Sequence, residues 1–324
     1  MDPGKLEKLK QTLVGVGGWA YFPLKLGNKL EICSKLYDFV ELNSTFYKLP
    51  PISQVKKWRA RVPDGFEFTV RVSRDLTHVG LLRPSNRNLK IFENHLEICK
   101  ELDARILHFQ FPPSLEVTGE LVKEWKEFIV SANKLAKSRD LHFAFEVRNS
   151  NSSSSSSLNS FYRENDIIPC SDATNTSLSV SSDSKILYTR VFGPGEHTKW
   201  SFDTNELLTL SKKVESIPAR KRYVTFHNIT MYEDASRIKN ILETGKDTIT
   251  KGPVGLESFQ RILSLARMKY PISKKTLLEE FRWRTFSSDQ EIKKHMGEIL
   301  EVLPERQYLT FEEIIQQASL IVQA

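Results

Sequence analysis

Charged and amide side chains recur where the apolar segments of this sequence end. The segment FVELNSTFYKLPP, residues 39–51, begins as an apolar strand and then carries Glu41 and Asn43. Because side chains alternate along a strand, these two residues share one face. Other apolar segments end in the same way, with Arg71 and then His78, His108 and Gln110, Glu146 and Arg148, Asp172, Arg190, and His227 and Asn228. If the segments are neighbouring strands, their ends form one polar site.

The residue types at these ends indicate chemistry on an anion. Three arginines, Arg71, Arg148 and Arg190, predict a clamp for phosphate or carboxylate, because guanidinium groups present paired N–H donors. The candidates for general acid and base catalysis are Glu41, Glu146, Asp172 and His78. The same acids, joined by His78 or His227, also offer ligands for a divalent metal such as Mg²⁺, Mn²⁺ or Zn²⁺, although no short HExxH-like motif supports one.

Amides, arginines and aromatic rings near these ends are candidates for binding a substrate. The rings would supply stacking faces for a sugar or a base. The substrate-binding candidates are Trp19, Asn43, Tyr47, Arg71, Gln110, Arg148, Arg190 and Asn228.

Eight short β-rich segments alternate with amphipathic helical patterns before residue 254. They lie at residues 13–18, 38–43, 66–72, 104–111, 141–147, 167–172, 186–192 and 222–228. This alternation predicts the α/β class and a (β/α)8 TIM-type barrel, in which the C-terminal ends of the strands carry the active site. A doubly wound open sheet is the alternative, but GVGGW lacks the GxGxxG phosphate loop because Ala20 replaces its third glycine.

The pattern changes after the eighth strand. Residues 253–324 are helical in pattern and predict a small all-helical domain, which leaves residues 1–252 for the barrel. Within the barrel, the serine-rich run at 149–160 is polar and of low complexity. It predicts a flexible loop after the fifth strand.

Charge and composition limit the class of protein. The net charge is +7. Residues 255–324 carry ten basic and ten acidic side chains, so the excess lies in the predicted barrel. Such a charge can attract a polyanion, but a mildly basic protein without a polyanionic partner has the same charge. No segment is long and apolar enough to predict a membrane span or a signal peptide. The widely spaced Cys33, Cys99 and Cys170 predict buried thiols in a cytoplasmic protein.

Several motifs resemble the YecE-like family, also called domain of unknown function 72. They are GVGGWAYFP, VELNSTFYKLPP, QFPPSL, FEVRNS, YTRVFG and YVTFHNITMYEDASRIKN, between about Val14 and Leu242. The resemblance implies a TIM-type barrel but no settled reaction. The sequence departs from the family pattern after Arg148, where a serine run replaces an Arg-His-Pro-Ser-Trp-like segment. It also departs at Phe192, commonly a histidine, and at His227, typically an asparagine.

The C-terminal segment has a resemblance of its own. From about Phe259 to Gln317 it is similar to a small helical domain of unknown function, family 2795. That resemblance implies no chemistry, and it leaves the helical segment as a candidate surface for a protein partner.

Three functions are consistent with the sequence. The first is a nuclease-like hydrolase that acts on a phosphate-containing substrate such as nucleic acid, with carboxylates as acid, base or metal ligands and arginines as the anion clamp. The second is a sugar-isomerase-like enzyme acting on sugar phosphates. The third is a non-catalytic nucleic-acid-binding or adaptor protein.

Overall fold

Eight parallel strands form one continuous sheet that curls into a barrel. The computed structural model describes residues 12–24, 26–136, 140–148, 155–194, 199–248, 252–266 and 268–322. The strands are β1 Thr12–Val16, β2 Phe39–Leu42, β3 Glu67–Arg71, β4 Ile106–Gln110, β5 His142–Glu146, β6 Ile168–Pro169, β7 Ile186–Val191 and β8 Lys221–Phe226. Their order is β6-β5-β4-β3-β2-β1-β8-β7, and a parallel bridge from Ser171 to Thr189 joins the two ends. The predicted TIM-type barrel is confirmed.

The interior of the barrel is apolar below its polar mouth. Strands β2 and β4 are buried along their whole length, as expected for parallel strands covered on both faces. One cluster of buried residues comprises Phe39, Ile106, Ala144, Ile168, Cys170, Ile186, Tyr188 and Tyr223. Gly15 makes room for this packing, because a Cβ at that position would lie 2.7 Å from the Phe39 ring.

Helices separate the strands along the chain. The first five are α1 Lys29–Leu36, α2 Ile52–Arg59, α3 Asn86–Leu102, α4 Gly119–Leu135 and α5 Ser155–Glu164. Side-chain oxygens of Asn28, Ser85 and Thr118 accept hydrogen bonds from first-turn N–H groups of α1, α3 and α4. Such caps satisfy donors that have no partner within the helix, so the sequence itself determines where these helices begin.

The serine-rich run does not form a single loop. Residues 155–160 begin α5, because Leu158 and Phe161 give this polar segment a buried apolar face. The loop prediction is wrong for these residues, and residues 149–154 lie outside those described.

The chain divides into two compact units, one of residues 1–191 with 214–227 and one of residues 192–213 with 228–324. Helix α6 Thr204–Ser216 begins in the second unit. The other helices there are α7 Met231–Thr244, α8 Gly255–Ser264, α9 Lys274–Phe281, α10 Gly297–Leu300 and α11 Phe311–Val322. The predicted helical C-terminal region is present. It also contains two antiparallel strand pairs, β9 Ile272–Ser273 with β12 Gln307–Tyr308 and β10 Thr285–Ser287 with β11 Lys293–His295. The domain boundary after residue 252 stays a prediction.

Other sequence-level expectations concern membranes and thiols. None of the helices described combines the length and apolarity that a membrane span requires. Cys33, Cys99 and Cys170 are buried and form no disulfide.

A buried histidine fixes the loop that follows β3. His95 of α3 is fully buried, and its Nε2 accepts a hydrogen bond of 3.0 Å from the Ser73 N–H. The proton of the neutral imidazole is therefore on Nδ1, which donates to the Ile91 carbonyl at 2.9 Å. This contact holds the start of the β3 loop, which continues as a π-helical turn, Asp75–Val79.

Titration of His95 predicts an acid-labile fold. Burial lowers its pKa from 6.5 to about 4. Between these values the unfolded chain binds a proton that the native chain does not. Stability is therefore complete above pH 6.5 and falls as the pH drops towards 4, by up to about 3 kcal/mol. In His95→Gln, which keeps an acceptor but does not titrate, we expect a flatter profile of Tm against pH by calorimetry. Identical slopes for the variant and the wild type would contradict this role.

Candidate functional site

The guanidinium of Arg190, near the end of β7, lies at the centre of the barrel mouth. Its Nη1 donates to Glu146 Oε2 at 2.7 Å and to Gln110 Oε1 at 3.0 Å. Its Nε donates to Glu41 Oε2 at 3.2 Å, and its Nη2 lies 3.0 Å from Glu41 Oε1. Arg190 is 3% exposed and Glu41 is fully buried. A buried ion-pair network thus connects β2, β4, β5 and β7.

Strand register brings these side chains together. Gln110 on β4 and Glu146 on β5 are direct partners across the sheet, and both end their strands. Glu41 lies on the inward face of β2 together with Phe39 of the interior cluster. Because alternate residues face inward, the polar ends form a layer directly above the apolar cluster.

Tyr188 supports the network from below. Its hydroxyl donates to Glu41 Oε2 at 2.5 Å, since a carboxylate only accepts. That hydroxyl then accepts from Thr69 Oγ1, at 2.9 Å. Both residues are fully buried. The chain of donors orients Glu41 towards Arg190.

Ion pairing keeps both buried carboxylates charged. Burial alone would raise the pKa of Glu41 and Glu146, but the Arg190 guanidinium holds both pKa values well below their usual range. Neither carboxyl therefore carries a proton at neutral pH. This state suits the anchoring of a cation and does not suit a general acid.

Two histidines of the network are neutral. His108 Nε2 lies 3.2 Å from Glu146 Oε2, and His227 Nε2 lies 3.3 Å from Arg190 Nε. Burial lowers the pKa of His108, and burial together with Arg190 lowers that of His227 to about 3. Gly17 admits the His227 ring, because a Cβ there would lie 2.4 Å from His227 Nδ1.

Arg71, at the end of β3, is a second cation at the mouth. Its guanidinium carbon lies 3.8 Å from the centre of the Phe46 ring, and its Nη1 donates to Asn43 Oδ1 at 3.5 Å. Its Nε is buried without a hydrogen-bond acceptor, and no carboxylate of the described residues forms an ion pair with it. Burial and the neighbouring Arg190 lower the pKa of Arg71 to about 10, so it remains charged at neutral pH. Arg71 therefore has donor capacity for an anion.

His78, in the π-helical turn, lies close to Arg71. Both side chains contact Phe46, whose ring centre is 5.0 Å from that of His78. The Thr77 hydroxyl is within hydrogen-bond distance of the Ser73 carbonyl and of His78 Nδ1, at 3.1 Å and 3.0 Å; when it donates to the carbonyl, the proton of the neutral imidazole is on Nδ1. The Nε2 lone pair of His78 remains available. Burial and Arg71 lower the pKa of His78, which favours the neutral base.

The remaining side chains of the mouth are more exposed. Arg148 is 39% exposed and donates from Nε to Glu146 Oε1 at 2.7 Å. Tyr47 is 82% exposed, and Trp19 packs edge-on against Trp58. These groups border the buried network without closing it.

Comparisons with known proteins agree with this fold. The family model described as "Protein of unknown function DUF72" matches residues 13–255. The chain belongs to the DUF72 family. Two DUF72 proteins of known structure, from Enterococcus faecalis V583 and Thermotoga maritima MSB8, are similar to it, each at 19% identity over 99% of the matched chain. They cover 75% and 72% of this chain, with TM-scores of 0.59 and 0.55.

Wider matches give the fold alone. A 3-keto-D-glucoside 4-epimerase from E. coli matches with 12% identity and a TM-score of 0.50, over 72% of this chain and 99% of the epimerase. No curated protein matches the sequence.

Two predicted site residues belong to other hydrogen-bond networks. Asp172 accepts from the backbone N–H and the hydroxyl of Thr174, which makes it the first residue of an Asx turn. Asn228, in the second unit, donates to Asp234 Oδ2 at 2.6 Å and to the Trp200 carbonyl at 2.8 Å. The roles predicted for these two residues stay predictions.

Tyr188 and His108 of the network have no role in the sequence predictions, and His227 is predicted there only as a metal ligand. Tyr188 shares a strand face with Arg190, and that spacing of two was the available signal. His108 and His227 lie near the C-terminal ends of β4 and β8, but a histidine at such a position does not reveal whether it will be a ligand, a base or a neutral neighbour. The distinction depends on burial, which lowers the pKa values of both histidines in this structure.

The donors at the barrel centre do not fit a resident divalent metal. Ligand atoms of His108, Glu146 and Cys170 lie within 4.8 Å of one another. However, Glu146 already binds Arg190 and Arg148, and burial raises the pKa of the Cys170 thiol well above its usual value. The guanidinium supplies the positive charge that a metal would bring.

The network predicts a large stability loss in Glu41→Gln. The substitution leaves Arg190 buried with half of its charge compensation, so we expect unfolding to become easier by about 3–5 kcal/mol in urea titrations. The matched control is Glu67→Gln, a part-buried glutamate paired with Lys221 and Tyr223. Its loss should be at least about 2 kcal/mol smaller, because water screens that pair. Equal losses for the two variants would contradict a central role for Arg190.

Proposed function

We propose that this DUF72 barrel is a nuclease-like phosphoester hydrolase that binds a phosphate at Arg71 and uses His78 as the general base. One observation carries the proposal. A part-buried guanidinium whose Nε has no hydrogen-bond acceptor lies close to a neutral imidazole with an unused Nε2 acceptor, and Phe46 contacts both. A phosphate ester supplies the acceptor that Arg71 lacks, and its hydrolysis needs the base that His78 provides.

The balance of charge favours an anionic substrate. Glu41 and Glu146 carry two negative charges, and Arg190 and Arg148 pair with them. Arg71 adds a positive charge that none of the described carboxylates pairs with. Because a guanidinium fork matches two phosphate oxygens, Arg71 favours a phosphate over a neutral sugar.

The proposed reaction is a direct attack of water on phosphorus. His78 Nε2 takes a proton from the attacking water as the new oxygen–phosphorus bond forms, and the ester oxygen leaves with the electrons of its own bond to phosphorus. Arg71 stabilises the charge that develops on the non-bridging oxygens. Thr77 keeps the Nδ1 proton in place, which leaves Nε2 as the base. Solvent protonates the leaving alkoxide.

Exposed aromatic rings support a nucleic-acid substrate. Tyr21, after β1, is 86% exposed and Tyr47, after β2, is 82% exposed. Unpaired bases stack on such rings, which contributes about 1–3 kcal/mol per base. The net charge of +7 would also attract a polyanion.

The test measures cleavage of a fluorescent single-stranded oligonucleotide and of bis(p-nitrophenyl) phosphate, with and without added Mg²⁺, Mn²⁺ or Zn²⁺. We expect His78→Ala to lower kcat by about 10²–10⁴-fold with little change in KM, because it removes the base. Arg71→Ala should raise KM as well as lower kcat. The matched control is His142→Ala. His142 is also part-buried, but it lies at the N-terminal end of β5, away from the barrel mouth. The variant should keep wild-type activity.

Alternative outcomes separate the other functions. Tyr47→Ala should weaken cleavage of the oligonucleotide but not of the small diester. Thermal stabilisation by sugar phosphates and not by oligonucleotides would contradict the proposal in favour of a sugar-phosphate enzyme. Salt-sensitive binding of oligonucleotides without cleavage of either substrate would indicate a non-catalytic binding protein.

A further inference from the structure

We propose that the Arg190 guanidinium takes the place of a metal ion at the barrel centre. The side chains around it would bind a divalent metal if this guanidinium were removed. These side chains are those of Glu41, His108, Glu146 and Cys170. Their site is distinct from the anion site at Arg71, and its occupant does not depend on which substrate the mouth binds.

The side chains around Arg190 are of the types that bind metals. Glu146 Oε2, His108 Nε2 and the Cys170 sulfur offer one ligand atom each, all within 4.8 Å of one another. Ligands around zinc lie about 3–4 Å apart, because each bond to the metal is about 2.0–2.3 Å long. Small rotations of these side chains would therefore suffice to close a site.

Buried ring nitrogens without a hydrogen-bond partner lie among these side chains. Both nitrogens of His108 are buried, and neither makes a hydrogen bond of good geometry. His108 is fully buried, with Nε2 at 3.2 Å from Glu146 Oε2 and Nδ1 at 3.8 Å from Glu41 Oε2. Buried polar groups usually have partners, so a histidine between two carboxylates without aligned hydrogen bonds resembles a ligand whose cation is held elsewhere.

Arg190 competes directly for those ligands. Its Nη1 lies 2.7 Å from Glu146 Oε2, the same oxygen that faces His108. A divalent ion bound to that oxygen would stand beside a buried positive charge, which the low-dielectric interior makes costly. The guanidinium is charged at all physiological pH values, so it compensates the carboxylates at the barrel centre without a metal ion.

The test titrates the full-length chain with Co²⁺, whose visible absorption reports on its ligands. Arg190→Ala should bind one Co²⁺ at least about 100-fold more tightly than the wild type, with a thiolate charge-transfer band in the near ultraviolet. Arg190→Ala with Cys170→Ser should lose that band. The matched control is Arg237→Ala, which removes another buried arginine, one that is paired with Asp234 and Asp247. It should gain no band.

Two results would overturn the assignment. One is a folded Arg190→Ala protein that binds Co²⁺ no better than the wild type. The other is a Cys170-dependent band in the wild type, which would show that the metal binds while the guanidinium is present. Because these readouts involve binding alone, they remain interpretable if the barrel cleaves no phosphoester.

Discussion

The guanidinium of Arg190, held between Glu41 and Glu146, is the interaction on which the barrel mouth depends. Burying three charges in a protein interior is costly unless each is paired and hydrogen-bonded, and here the carboxylates contact the guanidinium at 2.7–3.2 Å. Tyr188, Thr69 and Gln110 complete the pairing. Since these residues come from β2, β3, β4, β5 and β7, one polar layer connects most of the barrel above its apolar interior.

This pairing also determines what the carboxylates cannot do. Their pKa values are held low by the same contacts that anchor Arg190, so their protons are absent at neutral pH. His108 and His227 are neutral for the converse reason, because burial disfavours their charged forms. The side chains with a free donor or acceptor are therefore Arg71 and His78, which remain incompletely paired at the rim.

The sequence predicted the barrel well because periodicity and strand count depend on local residue patterns. It also placed Glu41 and Arg190 at strand ends. It could not predict that these two side chains pair across 149 residues, because strand tilt and register decide which ends meet. The Asx turn at Asp172 was less predictable, since an Asx turn and a catalytic carboxylate can have the same local sequence. The start of α5 was hidden because its serines mask the apolar spacing of Leu158 and Phe161.

The central claim is that Arg190 is a locked structural cation whereas Arg71 is the anion-binding one. Nitrogen NMR of the arginine side chains tests it most directly. The claim predicts slowly exchanging, separate Nη signals for Arg190 that inorganic phosphate leaves unchanged, together with Arg71 signals that shift on adding phosphate. Averaged Arg190 signals that respond to phosphate, beside an unresponsive Arg71, would contradict it.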